Sequence, residues 1–184
     1  MEHLSIEKRL LTPNEYSRPE RQITVKGLVY HWTNNPGQDE SGVWTYFERD
    51  LPQLHKYGSA HFIIGPTGKI IECIPLDEMA YHVGSTRYIE PTLDYFITRY
   101  PNDCLLGIEL CHPDESGEFA QGTLDSAIYL GAALCMEYTL DPLNDIVRHF
   151  DVTGKDCPHS FAENLEAWRR FKELIDEELN RLLV

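Results

Sequence analysis

The stretch AHFIIGPTGKIIECI, residues 60–74, decides the class of fold. Two isoleucine-rich runs, AHFIIG and KIIECI, flank Pro66-Thr67-Gly68. Proline and glycine in this arrangement are typical of a tight turn, because glycine tolerates the backbone angles that such turns need. The stretch therefore predicts a β-hairpin.

Further runs of β-forming residues extend the hairpin into a sheet: KGLVYHWT (26–33), LLGIELC (105–111) and DIVRHF (145–150). Segments 123–140 and 162–182 carry apolar residues at helical spacing, and Thr123 is placed to cap the first of them. Residues 42–57 also have roughly helical spacing, although Pro52 is expected to break that run. We predict an α/β (α+β) fold, in which helices pack on a central mixed β-sheet of about five to six strands.

Composition and charge limit the function classes. The chain has 184 residues, which fits a single domain, and its 42% apolar and 25% charged residues exclude a disordered, collagen-like or coiled-coil protein. The net charge of −14 argues against a nucleic-acid partner. No apolar run approaches the roughly 20 residues of a membrane span. The start, MEHLSIEKRLL, lacks a signal-peptide pattern, so we expect cytoplasmic synthesis.

The chain divides into three parts by composition. Residues 1–25 are polar and contain Pro13 and Pro19, which predicts an N-terminal arm that packs on the domain. Residues 26–162 form the body of the domain, and residues 163–184 form a C-terminal amphipathic helix that belongs to it.

His31, His149 and Cys157 form a candidate zinc site. Alternation along the first strand puts Val29, His31 and Thr33 on one face, and Cys157 follows His149 by eight residues. Two imidazoles and one thiolate suit zinc, and three protein ligands leave a position open for water, as in catalytic sites. The alternative is that His31 is a satisfied core histidine, and the spacing alone does not decide between them.

Glu109 and Lys155 are candidate catalytic residues. Glu109 interrupts an apolar strand, where a carboxylate is costly unless it is paired or bound. It can act as a general base near a metal-activated water, or it can simply face solvent on an edge strand. Lys155 lies two residues before Cys157, so in an extended loop both face the same side. The alternative for Lys155 is a solvated surface position.

Other cysteines and histidines offer competing interpretations. Cys111-His112 would suit a cysteine peptidase, but adjacent strand residues point to opposite faces, which argues against His112 as the base. Cys73 and Cys135 lie in strand and helix patterns typical of core thiols. The five cysteines show no regular Cys-x-x-Cys spacing, so a structural zinc finger is not expected.

Four segments together resemble the zinc-dependent N-acetylmuramoyl-L-alanine amidases: HWTNNPG (31–37), SAHFIIGPTGKIIECIPLDEMAYHVG (59–84), GIELC (107–111) and RHFDVTGKDCP (148–158). These type 2 amidases include many bacteriophage endolysins and are related to peptidoglycan recognition proteins. The likeness runs from about residue 9 to 162 in the family's order. It implies that residues 26–162 are a zinc amidase catalytic domain with a long groove for a glycopeptide. No separate cell-wall-binding domain is expected.

The resemblance also implies a role for each site residue. His31, His149 and Cys157 match the ligands of one Zn²⁺ per chain. Glu109 matches the acidic residue that acts on the water, and Lys155 the basic residue that assists beside the metal.

Three further positions refine this assignment. His82 is expected to contact substrate. Ala60 stands where a subset of relatives carries a catalytic tyrosine, so Glu109 is the better base. Cys157 stands where cytosolic muropeptide-recycling relatives tend to carry aspartate, which favours the wall-lytic branch.

The function implied is that of a peptidoglycan hydrolase: a phage or prophage endolysin, or a bacterial autolysin. It would cleave the amide bond between N-acetylmuramic acid and L-alanine with a zinc-activated water, after release through a holin-type pore. No protein partner is implied. The alternatives are a cytosolic muropeptide-recycling amidase and a non-catalytic peptidoglycan-binding module.

Overall fold

The structure, a computed structural model, describes residues 6–184 and builds them around one mixed sheet. Its strands are β1 (Ile6–Lys8), β2 (Gly27–Trp32), β3 (Phe62–Ile64), β4 (Ile70–Glu72), β5 (Leu105–Leu110) and β6 (Ile146–Arg148). They lie in the order β1-β4-β3-β5-β2-β6, and every neighbouring pair is parallel except β3–β4. This confirms the predicted mixed sheet and its hairpin. Gly68 adopts a φ of +87° in the hairpin turn, as that turn requires.

Helices pack on both faces of the sheet. They are α1 (Glu40–Thr45), α2 (Glu90–Phe96), α3 (Gln121–Tyr138), α4 (His149–Thr153), α5 (His159–Glu163) and α6 (Leu165–Leu182). A 3₁₀ turn, Pro101–Asp103, precedes β5. Within residues 6–184 no helix has both the length and the apolar character needed to cross a membrane.

Alternate residues of β2 pack into different apolar clusters on the two faces of the sheet, as the alternation predicts. Leu28 and Tyr30 pack towards α3 and α6 in the larger apolar cluster. The Tyr30 hydroxyl donates a hydrogen bond to the carbonyl of Ala127, at 2.8 Å. Val29 belongs to a smaller cluster on the opposite face, and His31 alternates onto that same face. The two long helices therefore leave the His31 face free for a site.

The helix that starts at α1 runs through Pro52, so the predicted break is wrong. Beyond α1 the chain forms a π-helical turn, Tyr46–Asp50, and ends in a short helical segment, Leu51–Gln53. The backbone N–H of Leu51 bonds to the carbonyl of Tyr46, five residues back. This wider turn takes the carbonyls out of α-helical register, so the Pro52 ring and its missing N–H are accommodated.

Thr123 does not cap a helix, contrary to prediction. Helix α3 begins at Gln121, and the Thr123 hydroxyl lies inside its first turn. The hydroxyl donates to the carbonyl of Gly65 at 3.0 Å instead, and so ties α3 to the β3–β4 hairpin.

The last predicted strand is shorter than expected. Strand β6 stops at Arg148, and His149 is the first residue of α4 rather than the end of the strand. The Asp151 carboxylate accepts hydrogen bonds from the Arg148 backbone and guanidinium, which fixes the start of the helix. The helix therefore continues to Thr153, and the loop that carries Lys155 and Cys157 follows it.

The predicted arm supplies an unexpected strand. β1 pairs in parallel with β4, and residues 1–5 of the arm lie outside the described residues. Further along, the Arg18 guanidinium donates two hydrogen bonds to the Glu78 carboxylate, at 2.8 and 2.9 Å, and a third to the Leu11 carbonyl. The divisions at residues 25 and 162 stay predictions.

Candidate metal centre and active site

Two imidazoles and one thiol meet on the sheet face opposite α3 and α6. His31 comes from β2, His149 from the start of α4 and Cys157 from the loop after α4, and all three side chains are buried. The His31 Nδ1 atom lies 3.1 Å from His149 Nδ1 and 3.7 Å from Cys157 Sγ. The three ligand atoms lie within 4.8 Å of one another. The predicted ligand set is thus brought together.

Strand pairing explains how distant residues converge. Tyr30 of β2 is paired with Arg148 of β6, so the next residue on each strand, His31 and His149, lies at the same end of the sheet. The N–H of Phe150 then donates to the Cys157 carbonyl at 2.9 Å. This bond closes the loop after α4 and returns Cys157 to the two histidines.

The chemistry of the three side chains suits zinc. Imidazole nitrogen and thiolate sulfur are favoured zinc ligands, and three of them leave a coordination position open. Burial lowers the pKa of His31 well below its usual value and that of His149 to about 4, so both rings are neutral near pH 7 and can offer a lone pair. Burial, with the nearby Glu109 charge, raises the pKa of Cys157 to about 12 in the metal-free chain. Metal binding would therefore displace the thiol proton.

Glu109 lies beside this group on an inner strand. Its position on β5 is paired with His31 on β2, and β5 lies between β3 and β2, so the alternative of an exposed edge strand is wrong. Its Oε2 atom is buried and lacks a hydrogen-bond partner within the described residues. Burial raises the pKa of Glu109 to about 8, while the Lys155 charge acts in the opposite direction. Such a carboxyl can exchange a proton near neutral pH.

Lys155 is exposed and lines two cavities, the first of which also contains the candidate ligand His149. The first, of about 660 Å³, also contains His149, His82 and a wall of three tyrosines: Tyr57, Tyr81 and Tyr100. The second, of about 410 Å³, contains Glu109, aromatic side chains and amides: Trp32, Tyr46, Phe47, Asn34, Asn35 and Gln38. Lys155 is thus common to both cavities, with His149 in the first and Glu109 in the second.

His82 lies deeper than its predicted role suggests. It borders the first cavity, but its Nδ1 lies 3.0 Å from His31 Nε2 and its Nε2 lies 2.9 Å from the Leu105 carbonyl. Both ring nitrogens are therefore engaged by protein atoms, and contact with substrate stays a prediction. Sequence patterns gave no signal for the His82–His31 contact, because the two residues are 51 positions apart.

The competing cysteine site is not assembled. Cys111 is fully buried, and burial raises the pKa of its thiol far above neutrality. His112 packs on Trp32, with ring centroids 4.7 Å apart. Cys73 and Cys135 are buried thiols in the apolar core, as predicted. His61 is structural: its Nδ1 accepts from the Gly107 N–H and its Nε2 donates to the Glu78 carbonyl.

Comparison with known proteins shows the family to which the chain belongs. The family model described as N-acetylmuramoyl-L-alanine amidase matches residues 21–160. A probable N-acetylmuramoyl-L-alanine amidase of Bacillus licheniformis is 32% identical over 174 residues, covering 93% of this chain and 47% of the relative. The amidase BlyA of Bacillus subtilis (strain 168) is 30% identical over 173 residues, covering 91% and 46%. The chain thus spans about half the length of these curated relatives.

A solved structure shows the likeness of the fold. A mutant endolysin from Bacillus subtilis superposes with a TM-score of 0.73 at 23% identity, and the match covers 94% of this chain and 99% of that one. The predicted fold class is therefore confirmed over nearly the whole chain.

Proposed function

The chain belongs to the N-acetylmuramoyl-L-alanine amidase family, and on this premise we propose that it hydrolyses the amide bond between N-acetylmuramic acid and L-alanine in peptidoglycan. The observation that carries the proposal is the placement of three candidate metal-ligating side chains beside the Glu109 carboxyl, whose Oε2 atom is buried and has no hydrogen-bond partner within the described residues. Metal-assisted amide hydrolysis needs a Lewis acid and a proton acceptor in one pocket. The curated relatives are named for this activity.

His31, His149 and Cys157 would hold one zinc ion per chain. When bound, zinc supplies a Lewis acid, which makes water nucleophilic near neutral pH and polarises a carbonyl oxygen. The neutral imidazoles and the displaceable thiol proton of the metal-free chain fit this ion.

Glu109 and Lys155 carry out the proton and charge steps. Glu109 takes a proton from the attacking water while the water oxygen forms a bond to the amide carbon. Lys155 stabilises the negative charge that develops on the amide oxygen. Glu109 then donates its proton to the leaving nitrogen of L-alanine as the carbon–nitrogen bond breaks. A carboxyl whose pKa burial raises to about 8 is suited to both accept and donate.

The two cavities suit a substrate that extends both ways from its reacting amide. A muramoyl amide carries a sugar on one side and a peptide on the other, so both need room beside the carbonyl. The two cavities that share Lys155, one containing His149 and the other Glu109, provide that room.

Two alternatives are less well supported. A non-catalytic binding module does not need a complete ligand set with a proton acceptor, and here both are present. A cytosolic recycling amidase shares the chemistry, but its relatives tend to carry aspartate at the position of Cys157. Release through a holin-type pore stays a prediction.

Mass analysis of digested sacculi tests the proposal. The zinc-loaded chain should release stem peptides with new L-alanine amino termini and leave the glycan uncut. New reducing sugars would overturn it. A parallel digest of soluble muropeptides, compared by turnover, separates the wall-lytic enzyme from a recycling amidase. A digest with excess chelator provides the matched control.

A further inference from the structure

The ring of His82 is held between a metal ligand and the backbone. Its Nε2 lies 2.9 Å from the Leu105 carbonyl, and its Nδ1 lies 3.0 Å from Nε2 of His31. The side chains of His82 and His31 are both buried, and their rings meet edge to face with centroids 5.1 Å apart.

The Leu105 carbonyl decides where the protons lie. A carbonyl oxygen only accepts, so Nε2 of His82 must carry the hydrogen. In a neutral imidazole the other nitrogen is then an acceptor, which makes Nδ1 of His82 the acceptor towards His31. His31 must therefore donate from its own Nε2.

This chain of hydrogen bonds fixes the tautomer of His31. With the hydrogen on Nε2, the lone pair lies on Nδ1, and Nδ1 is the atom that faces His149 Nδ1 and Cys157 Sγ. In the opposite tautomer, Nε2 of His31 could no longer donate to His82, and a hydrogen on Nδ1 of His31 would occupy the side that faces His149 and Cys157. The contact with His82 thus favours the form of His31 that can bind a metal.

Two features outside the metal ligands hold His82 in place. The buried Asn102 accepts hydrogen bonds through Oδ1 from the backbone N–H groups of His82, at 3.2 Å, and Val83, at 3.0 Å. Gly107 on β5 leaves space for the ring, since a Cβ there would lie 2.5 Å from Cγ and 2.7 Å from Nδ1 of His82. The sheet is therefore shaped to receive this ring.

We propose that His82 is a positioning residue that locks His31 in the tautomer whose Nδ1 is free to bind the metal, and that Gly107 makes the space for it. The inference rests on the zinc site of the proposed function. Hydrogen-bonded partners behind ligating histidines fix ring orientation and tautomer, and their loss typically weakens metal affinity by about 10- to 100-fold.

Histidine NMR on the unmodified chain tests the tautomer directly. Long-range ¹H–¹⁵N correlations of the metal-free protein should show His31 protonated on Nε2, and the same tautomer should persist after zinc is added. The His31 signals are assigned by their loss in His31→Gln. A hydrogen on Nδ1 of His31 in the metal-free chain overturns the proposal, and this measurement needs no variant of His82.

Zinc affinity, measured by competition with a chelating dye, tests the consequence. His82→Phe keeps a ring but removes both nitrogens, and should weaken zinc binding by about 10- to 100-fold. Gly107→Ala should weaken it in the same direction by displacing the ring. The matched control is His55→Phe, the same substitution at an exposed histidine that stacks on Tyr16 and lines neither cavity, and it should leave zinc affinity within about twofold.

The outcomes separate this inference from the function it rests on. If the unmodified chain binds no zinc, the proposed function fails together with the inference. If the unmodified chain binds zinc and His82→Phe binds it equally tightly, only the positioning role is overturned. If His82→Phe does not fold, the NMR tautomer of the unmodified chain decides.

Discussion

His31 and Glu109 occupy directly paired positions on the neighbouring strands β2 and β5. Paired residues of adjacent strands point to the same face, so a candidate metal ligand and the half-buried Glu109 carboxyl lie side by side. A slip of one residue in this register would send one of them to the α3–α6 face. The two chemical functions of the candidate site therefore depend on one strand pairing.

Glu109→Gln should lower the hydrolysis rate but raise the stability of the metal-free chain at alkaline pH. Hydrolysis should fall by about 10² or more, the usual contribution of a positioned proton carrier, while zinc content is unchanged. The pKa of Glu109 is raised to about 8, so between about pH 4.5 and 8 the unfolded chain loses a proton that the folded chain keeps, and stability falls as pH rises. In urea unfolding without metal, the variant should therefore gain stability over the unmodified chain, and this gain should be larger at pH 8 than at pH 5. An unchanged hydrolysis rate would remove Glu109 from the mechanism.

Lys155→Met should lower the hydrolysis rate by about 10² and keep the zinc, because it removes a charge that stabilises the developing oxyanion. The same charge acts to lower the pKa of Glu109, so its loss should move the acidic limb of the pH–rate profile to higher pH. The matched control is Lys56→Met, which changes an exposed lysine that lies outside the residues lining both cavities. A pH profile that keeps its position would contradict the proximity of the two charges.

Cys157→Ser should weaken zinc binding sharply, since a thiolate is a far better zinc ligand than a hydroxyl. Cys135→Ser is the control, because it makes the same change at a buried thiol of the core. Elemental analysis after dialysis should find about one zinc per chain in the control and little in Cys157→Ser. Equal zinc in the two variants would show that Cys157 is not a ligand.

His61 should make the metal-free chain sensitive to mild acid. Burial lowers its pKa from 6.5 to about 4, so as pH falls through this range the unfolded chain takes up a proton that the folded chain does not. The free energy of unfolding should drop by about 3 kcal/mol from this residue alone. Urea unfolding at several pH values should give a shallower pH dependence for His61→Gln, and an identical dependence would refute the assignment.

Ile97→Asn should stabilise the fold. Ile97 ends α2 at a φ of +50°, which is unfavourable for a β-branched residue, and its side chain is 82% exposed, so little burial is lost. Asparagine tolerates this conformation, and we expect a gain of about 1 kcal/mol in the free energy of unfolding. Leu143→Asn is the control, as an exposed apolar residue without a positive φ. Equal effects of both substitutions would rule out backbone strain as the cause.

The sequence predicted the elements that carry strong local signals. Alternation in KGLVYHWT gave the faces of β2, and the glycine turn gave the β3–β4 hairpin. β1 was missed because Ile6–Lys8 is short, and it forms only by pairing with β4. Helix α2 was missed as well. Thr123 and Pro52 carried correct local preferences, but tertiary contacts and a wider helical turn overrode them.

The candidate site shows the same limit. The residue types and the resemblance pointed to His31, His149 and Cys157, which the fold does bring together. The proposed role of His82 depends on a hydrogen bond to the Leu105 carbonyl and on the space that Gly107 leaves for the ring. Neither feature produces a periodic pattern or a recognisable residue spacing in the sequence, so only the three-dimensional structure reveals it.

The separation of the ligands along the chain has a consequence for biosynthesis. His31 lies 118 residues before His149 and 126 before Cys157, and β5, which pairs with β2 and carries Glu109, must also be in place. Closing loops of this length is a late event in folding, since the entropy cost is met only by contacts distant in sequence. A nascent chain on the ribosome therefore lacks the complete candidate metal pocket until the segment carrying Cys157 has emerged, so the proposed hydrolytic activity would arise in one step with the finished fold.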